Sequence, residues 1–217
     1  MANPYGDVEL DPRGMRALAH PVRLAILSRL QGDGPSTATA LAPLVGATPS
    51  VTSWHLRHLA EHGLVRDADV ESDGRQRWWE AVGSGFRFAA TDEASLDAAT
   101  VLERTIMEQA AALPERWARD VEPLLEVDWR RSAGLSNTTV EVTADELADI
   151  EAAIEQVLAP YVLRKRGRRP EGARRVRMLR YVLPEAPAVD DPGHGVGATG
   201  AAAGATAAAG EDGGDRP

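Results

Sequence analysis

The side chains best suited to chemistry crowd into one short stretch, residues 48–62. Thr48, Ser50 and Ser53 bring hydroxyls, Trp54 an indole, Arg57 a guanidinium, and His55, His58 and His62 imidazoles. Hydroxyls and Arg at helical spacing suit the major groove of DNA, where hydroxyls bond phosphates or bases and Arg can read guanine. The three His lie within about one face of a helix, a spacing compatible with metal ligation. The chain has no Cys, however. The plainer reading is that these His are incidental on a DNA-facing helix, and no metal is expected. A catalytic reading finds no support. There is no phosphate loop, no Gly-x-Ser-x-Gly, no His-Glu-x-x-His and no carboxylate pair in a recognisable setting. Neither an enzyme nor a cofactor is therefore expected.

A helix over 49–61 must carry these groups. Thr48 can cap it, and Pro49 sits where a missing N–H costs nothing. Gly63 supplies the left-handed residue that ends it. Turning about 100° per residue puts Thr52, Leu56, Leu59 and Gly63 inside, and Ser50, Val51, Trp54, Arg57, His58 and Glu61 outside, with Ser53 and His55 flanking. Before it, Thr37 can cap a short helix over 38–45, and Gly46-Ala47 makes the turn. Helix, short Gly-containing turn and helix form a helix-turn-helix signature. Pro43 falls inside the short helix, where it should kink it.

The flanks extend this unit. Residues 1–9 look loose. Asp11 can cap a short helix with Pro12 at its first position, and Pro21 opens a second whose apolar side holds Leu24, Ile26, Leu27 and Leu30. His20 reads as a capping or packing residue. After Gly63, a strand over 64–70, a turn over 71–74 with Asp73-Gly74 as its signal, and a return strand over 75–82 make a hairpin. Its tip, the wing over 70–77, presents Arg75 and Arg77, suited to phosphate.

Four pieces in order and spacing resemble the ArsR-type (arsenic-repressor-like) winged-helix regulators of bacteria. They are Leu18-Ala19-His20-Pro21-Val22-Arg23-Leu24-Ala25-Ile26-Leu27, Ser53-Trp54-His55-Leu56-Arg57-His58-Leu59, Gly63-Leu64-Val65 and Gly74-Arg75-Gln76-Arg77-Trp78-Trp79. The resemblance covers a third of the chain. It implies a homodimer that binds operator DNA and answers to a signal, with DNA contacts at the positions matched by Ser50, Ser53 and Trp54. Thr52 departs from the pattern, standing where the family has an apolar residue.

The formal net charge of −9 is unlike that of a nucleic-acid binder, but it is unevenly spread. Residues 13–88 hold nine Arg and seven acids, residues 91–129 ten acids and three Arg, and residues 164–180 nine Arg or Lys and one acid. Within the acidic middle, a helix over 93–113 spaces Leu96, Ala99, Leu102, Ile106, Ala110 and Leu113 at three- to four-residue intervals, as a seam would. In the resembling family the helix after the wing pairs with its mate, so these six are the expected dimer interface; the alternative is intrachain core. Pro114 starts another helix, and 129–137 reads as a loop. A strand over 138–142, a capping box at 143–146, a helix bearing Leu147, Ile150, Ile154, Val157, Leu158 and Tyr161, and a strand over 174–183 suggest a strand-helix-strand appendage. The basic run 164–169 could reach phosphate or balance the acidic helices. The Ala/Gly-rich tail 185–217 cannot bury a core and should be disordered.

The expected fold is α+β and mainly helical. A winged helix-turn-helix over 10–88 follows the loose 1–9; a helical dimerisation segment covers 92–127 and the appendage 128–184. The expected function is a homodimeric bacterial transcriptional regulator, a repressor, that binds a palindromic double-stranded DNA operator through 49–61 and the wing. Its DNA contacts would be Thr48, Ser50, Val51, Ser53, Trp54, His55, Arg57, Arg75 and Arg77, and a small-molecule effector of unknown kind could modulate it. The alternative is a winged helix for protein docking, or one attached to an unrecognised enzyme activity. No apolar run is long enough to span a membrane and there is no signal-peptide pattern, so a cytoplasmic, nucleoid-associated protein is expected.

Overall fold

The computed structural model describes residues 3–70, 76–164 and 170–185. Its first four helices carry their own start signals. In α1 (Pro12–Leu18) the Asp11 carboxylate accepts the Gly14 N–H at 2.7 Å. In α2 (Pro21–Asp33) His20 is the cap, its Nδ1 accepting the Val22 N–H at 3.2 Å. Thr37 caps α3 (Ala38–Leu41). The helix expected over 38–45 stops there because Pro43 has no N–H to donate and its ring crowds the preceding turn. The chain tightens into a 3₁₀ turn over Ala42–Leu44, and the Val45 N–H returns to the Leu41 carbonyl at 3.1 Å. Then α4 (Pro49–Glu61) begins, with Thr48 Oγ1 accepting the Val51 N–H at 3.3 Å. Gly46 at φ +65° and Gly63 at φ +67° make the left-handed turns just outside its two ends.

Strands β1 (Val8–Glu9), β2 (Ser36–Thr37), β3 (Val65–Asp67), β4 (Trp78–Ala81) and β5 (Phe86–Arg87) form two small sheets. The order β2-β4-β3 is antiparallel throughout, with Ser36 opposite Trp79 and Arg66 opposite Glu80. This is the wing, and its strands are shorter than the expected 64–70 and 75–82. The turn 71–74 and Arg75 lie outside the described residues. The N-terminus departs from expectation. Val8–Glu9 is not loose but pairs in parallel with Phe86–Arg87, and the Leu10 N–H reaches the Arg87 carbonyl at 2.8 Å. A strand of two residues has too little alternation to be read from sequence.

Met15, Leu18, Ile26, Leu27, Leu56, Leu59, Leu64 and Trp79 form the core together with Ala98, Ala99 and Leu102 of α5 (Glu93–Ala110). That last group corrects the expected dimer seam. Ala99, Leu102 and Ala110 are buried within the chain, and Ile106 packs against the same cluster. Helix α1 lies along α5 and takes up its apolar stripe. Leu113 is half-buried and only Leu96, at 57% exposure, stands open. Fully burying a Leu is worth about 1.5–3 kcal/mol, so these side chains are committed to the monomer.

Beyond α5 come α6 (Leu113–Asp120), a 3₁₀ turn over Glu122–Leu124, α7 (Val127–Ser132) and α8 (Ala144–Val162). The expected loop 129–137 is thus helical at its start. Thr143 and Glu146 form the expected capping box, and Arg87 bonds both Asp7 (3.1 Å) and Glu155 of α8 (2.8 Å). The two strands of the appendage are absent: neither 138–142 nor 174–183 carries a ladder. Alternating apolar residues favour a strand, but a ladder needs a partner, and a lone pair of strands is marginal in water. Residues 172–185 belong to a separate unit and, taken by themselves, hold neither helix nor strand. Residues 165–169 of the basic run and 186–217 of the tail lie outside the described residues. Among the described residues no helix is long and apolar enough to cross a membrane.

Candidate nucleic-acid interface

Helix α4 buries Thr52, Leu56 and Leu59 and turns its other side to solvent. Thr48, Ser50 and Arg57 are exposed; Val51 and Trp54 are 45% and 52% exposed, and Ser53 is half-buried. Arg57 donates from Nη1 to Ser53 Oγ at 2.7 Å, an i, i+4 bond that holds the guanidinium along the helix surface. The Trp54 indole stacks on the His58 imidazole, centroids 5.6 Å apart and planes 6° apart. A large aromatic left open on a helix is thus held in one orientation by its neighbour one turn on.

The wing stands beside this helix. A shallow cleft is lined by Ser53 and Arg57 of α4, Thr37 and Thr39 at the start of α3, and Gln76, Arg77 and Trp79 of the wing. The Arg77 guanidinium sits 4.0 Å over the Trp79 ring and donates to the Asp67 carboxylate, with Nη2 at 2.9 Å. The bond to Asp67 holds the Arg77 pKa above its usual value, and the same bond holds the Asp67 carboxyl below its own. Arg66 is paired likewise with Glu80 at 2.7 Å. A phosphate arriving here would compete with a carboxylate already in place.

One expected contact residue is displaced from this face. His55 is 4% exposed, its ring 4.7 Å from that of His20, so it cannot meet DNA. On the helical wheel it sat at the margin, and the start of α2 packs over that margin. Under α4, buried His55 meets the half-buried His20 and Arg23 of the α2 start, with buried Thr52 one turn before it, a polar cluster that sequence reading missed. Thr52 Oγ1, His55 Nδ1 and Arg23 Nε find no hydrogen-bond partner among the described residues. Burial lowers the His55 pKa, and the nearby His20, Arg23 and His58 lower it further; burial and Arg23 lower that of His20. The only advance signal was an inward-facing Thr beside a capping His. Among the described residues no group of three His, Cys, Asp or Glu could hold a metal ion.

Known proteins resemble the same region. Residues 18–68 match the model of a helix-turn-helix domain family. A stretch of 57 residues is 39% identical to the HTH-type transcriptional regulator YgaV of Escherichia coli (strain K12). The match covers 25% of this chain and 58% of YgaV, so the chain spans little more than half of that relative. Two solved structures share a likeness at a TM-score of 0.29 each. One, named "Possible transcriptional regulator for arsenical resistance", is 26% identical, with 46% of this chain and 94% of that one covered. The other, a transcriptional regulator homologue from Pyrococcus horikoshii OT3, is 24% identical, with 45% and 87% covered. From residues 18–68 and the three-stranded wing, the chain carries a winged helix-turn-helix domain, and its motifs over 13–82 resemble those of the ArsR-type regulators.

Proposed function

We propose that this chain is a DNA-binding transcriptional regulator that works as a homodimeric repressor on a palindromic operator. One observation carries the reading: α4 turns Ser50, Val51, Trp54 and Arg57 outward beside the wing, with its apolar stripe wholly committed to the core. Helix α4 enters the major groove, Ser50, Ser53, Trp54 and Arg57 meeting bases and nearby phosphates, with Thr48 at the cap and Arg77 over the backbone. Arg75 joins the wing contact on sequence grounds alone. A two-fold dimer presents two such helices to two half-sites, which is why the operator is palindromic. Leu96 and Met107, 57% and 47% exposed and eleven residues apart along one line of α5, supply an apolar contact for the second copy.

Trp54→Ala tests the groove assignment. A lost base contact costs about 1–3 kcal/mol on the cognate site alone, while a lost phosphate contact weakens all sequences alike and lowers the salt slope by about 1. The variant should bind the operator at least tenfold more weakly, bind random DNA almost as before, and melt within about 2 °C of the parent, because the indole is half open. Equal loss on both DNAs, or an unfolded domain, overturns the assignment. The protein-docking alternative gains nothing from this face, which is half hydroxyl and guanidinium.

A further inference from the structure

Helix α8 is a nineteen-residue helix without one buried residue. Its apolar side chains are nevertheless ordered. Leu147, Ile150, Ile154, Val157 and Tyr161 follow one another at intervals of three, four, three and four, the a/d spacing of a helix-helix seam. The chain covers only one edge of that stripe. Leu147, Ile154 and Leu158 are half-buried, on the side where Glu155 meets Arg87, while Ile150, Val157 and Tyr161 are 40%, 67% and 64% exposed. A solvated helix has no reason to put Ile, Val and Tyr at those places.

Charge indicates what covers them. Helix α8 carries five acids (Asp145, Glu146, Asp149, Glu151 and Glu155) and no Lys or Arg. The next charged residue is Arg164, whose guanidinium lies 5.2 Å from the Tyr161 ring, and the sequence continues with four more cations to Arg169. A parallel partner copy would set acid against acid over residues 145–155, the first three turns of the seam. An antiparallel copy sets Asp145 and Glu146 at the start of each helix beside Arg164 just past the end of the other, and opposes the two helix dipoles.

We propose that the occupant is a second copy of this chain, with α8 packed antiparallel on its mate so that Ile150 lies opposite Tyr161 and Ile154 opposite Val157. This rests on the homodimer reading above and adds a second seam to it. Two helices of this length meet over less area than the about 1,200–2,000 Å² of a stable interface, so the seam reinforces the dimer rather than forming it alone.

The chain's lack of Cys makes the geometry testable by cross-linking. Ile150→Cys and Tyr161→Cys are made singly in the full chain and oxidised alone and as a mixture. In the antiparallel seam each Cys is about 16 Å along the axis from its own copy, beyond disulfide reach, but beside the other variant's Cys. The mixture should yield the mixed disulfide dimer and neither variant alone should. Self-linking of each variant, or no linking in any sample, overturns the seam. Independently, Val157→Asp should raise the dimer dissociation constant at least tenfold in sedimentation, with the far-ultraviolet circular dichroism of the parent. A variant that dimerises as tightly as the parent sinks the α8 seam and leaves the homodimer standing. A parent that is monomeric at micromolar concentration sinks both.

Discussion

Replacing Thr52 by Val isolates one atom of the recognition helix's support. Thr52 is fully buried under α4, and its Oγ1 finds no partner among the described residues. A buried polar group left unsatisfied costs about 1–3 kcal/mol, and Val keeps the shape while removing the hydroxyl. Allowing for imperfect isostery, Thr52→Val should stabilise the protein by about 1 kcal/mol, raising Tm by about 2–4 °C for a chain of this size. Thr52→Ser keeps the hydroxyl and deletes a methyl. It should destabilise by about 1 kcal/mol through lost burial and the small cavity left behind. Thermal melts and guanidinium titrations of the three proteins give the ordering Val above Thr above Ser. Operator affinity should be unchanged in the Val variant, because the side chain faces away from the groove. A Tm several degrees below the parent for Thr52→Val would mean that the hydroxyl is bonded in solution, and the account of this cluster would be wrong.

The same cluster makes stability depend on pH. The folded-state pKa of His55 and of His20 lies below the ordinary 6.5, so the unfolded chain takes up protons first as the solution is acidified. Their contribution is complete above that value and is lost as pH falls through it toward the folded pKa values. Tm should therefore fall between about pH 7.5 and about pH 5.5 in a single buffer series, and fall less for His55→Gln; equal slopes would exclude His55 as the titrating group. On the wing, Asp67→Ala releases Arg77 from its carboxylate. Binding to random DNA should then tighten several-fold and the salt slope steepen by about 1, whereas Arg77→Ala should weaken binding with less than a full unit lost from the slope, because Asp67 already holds part of that cation's charge. If Arg77→Ala alone removes a full unit of slope, Asp67 gives way to phosphate at no cost and the pair is not a restraint.

Local chemistry was readable from the sequence wherever one residue decides the backbone. Asp11, Thr37, Thr48 and Thr143 are short polar side chains that cap orphan N–H groups, and Gly63 takes a left-handed turn; each acts within three or four positions of itself. The inner stripe of α4 followed from helical periodicity for the same reason. Pro43 was flagged as a disturbance, but its outcome, a 3₁₀ turn, depended on what the neighbouring carbonyls could reach. The errors share a cause. An apolar stripe states that a face is buried, not against what. On α5 the stripe from Ala99 to Ala110 met α1 of the same chain, while the stripe on α8 met almost nothing. His55 lay at the edge of its wheel, and only the packing of α2 across that edge put it inside. Residues 138–142 and 174–183 alternate as strands do, yet without a partner in reach the backbone had nothing to pair with. Sequence fixes what a residue does to its own turn of chain; the choice of partner for an apolar face or a strand edge is a long-range decision that tertiary packing makes.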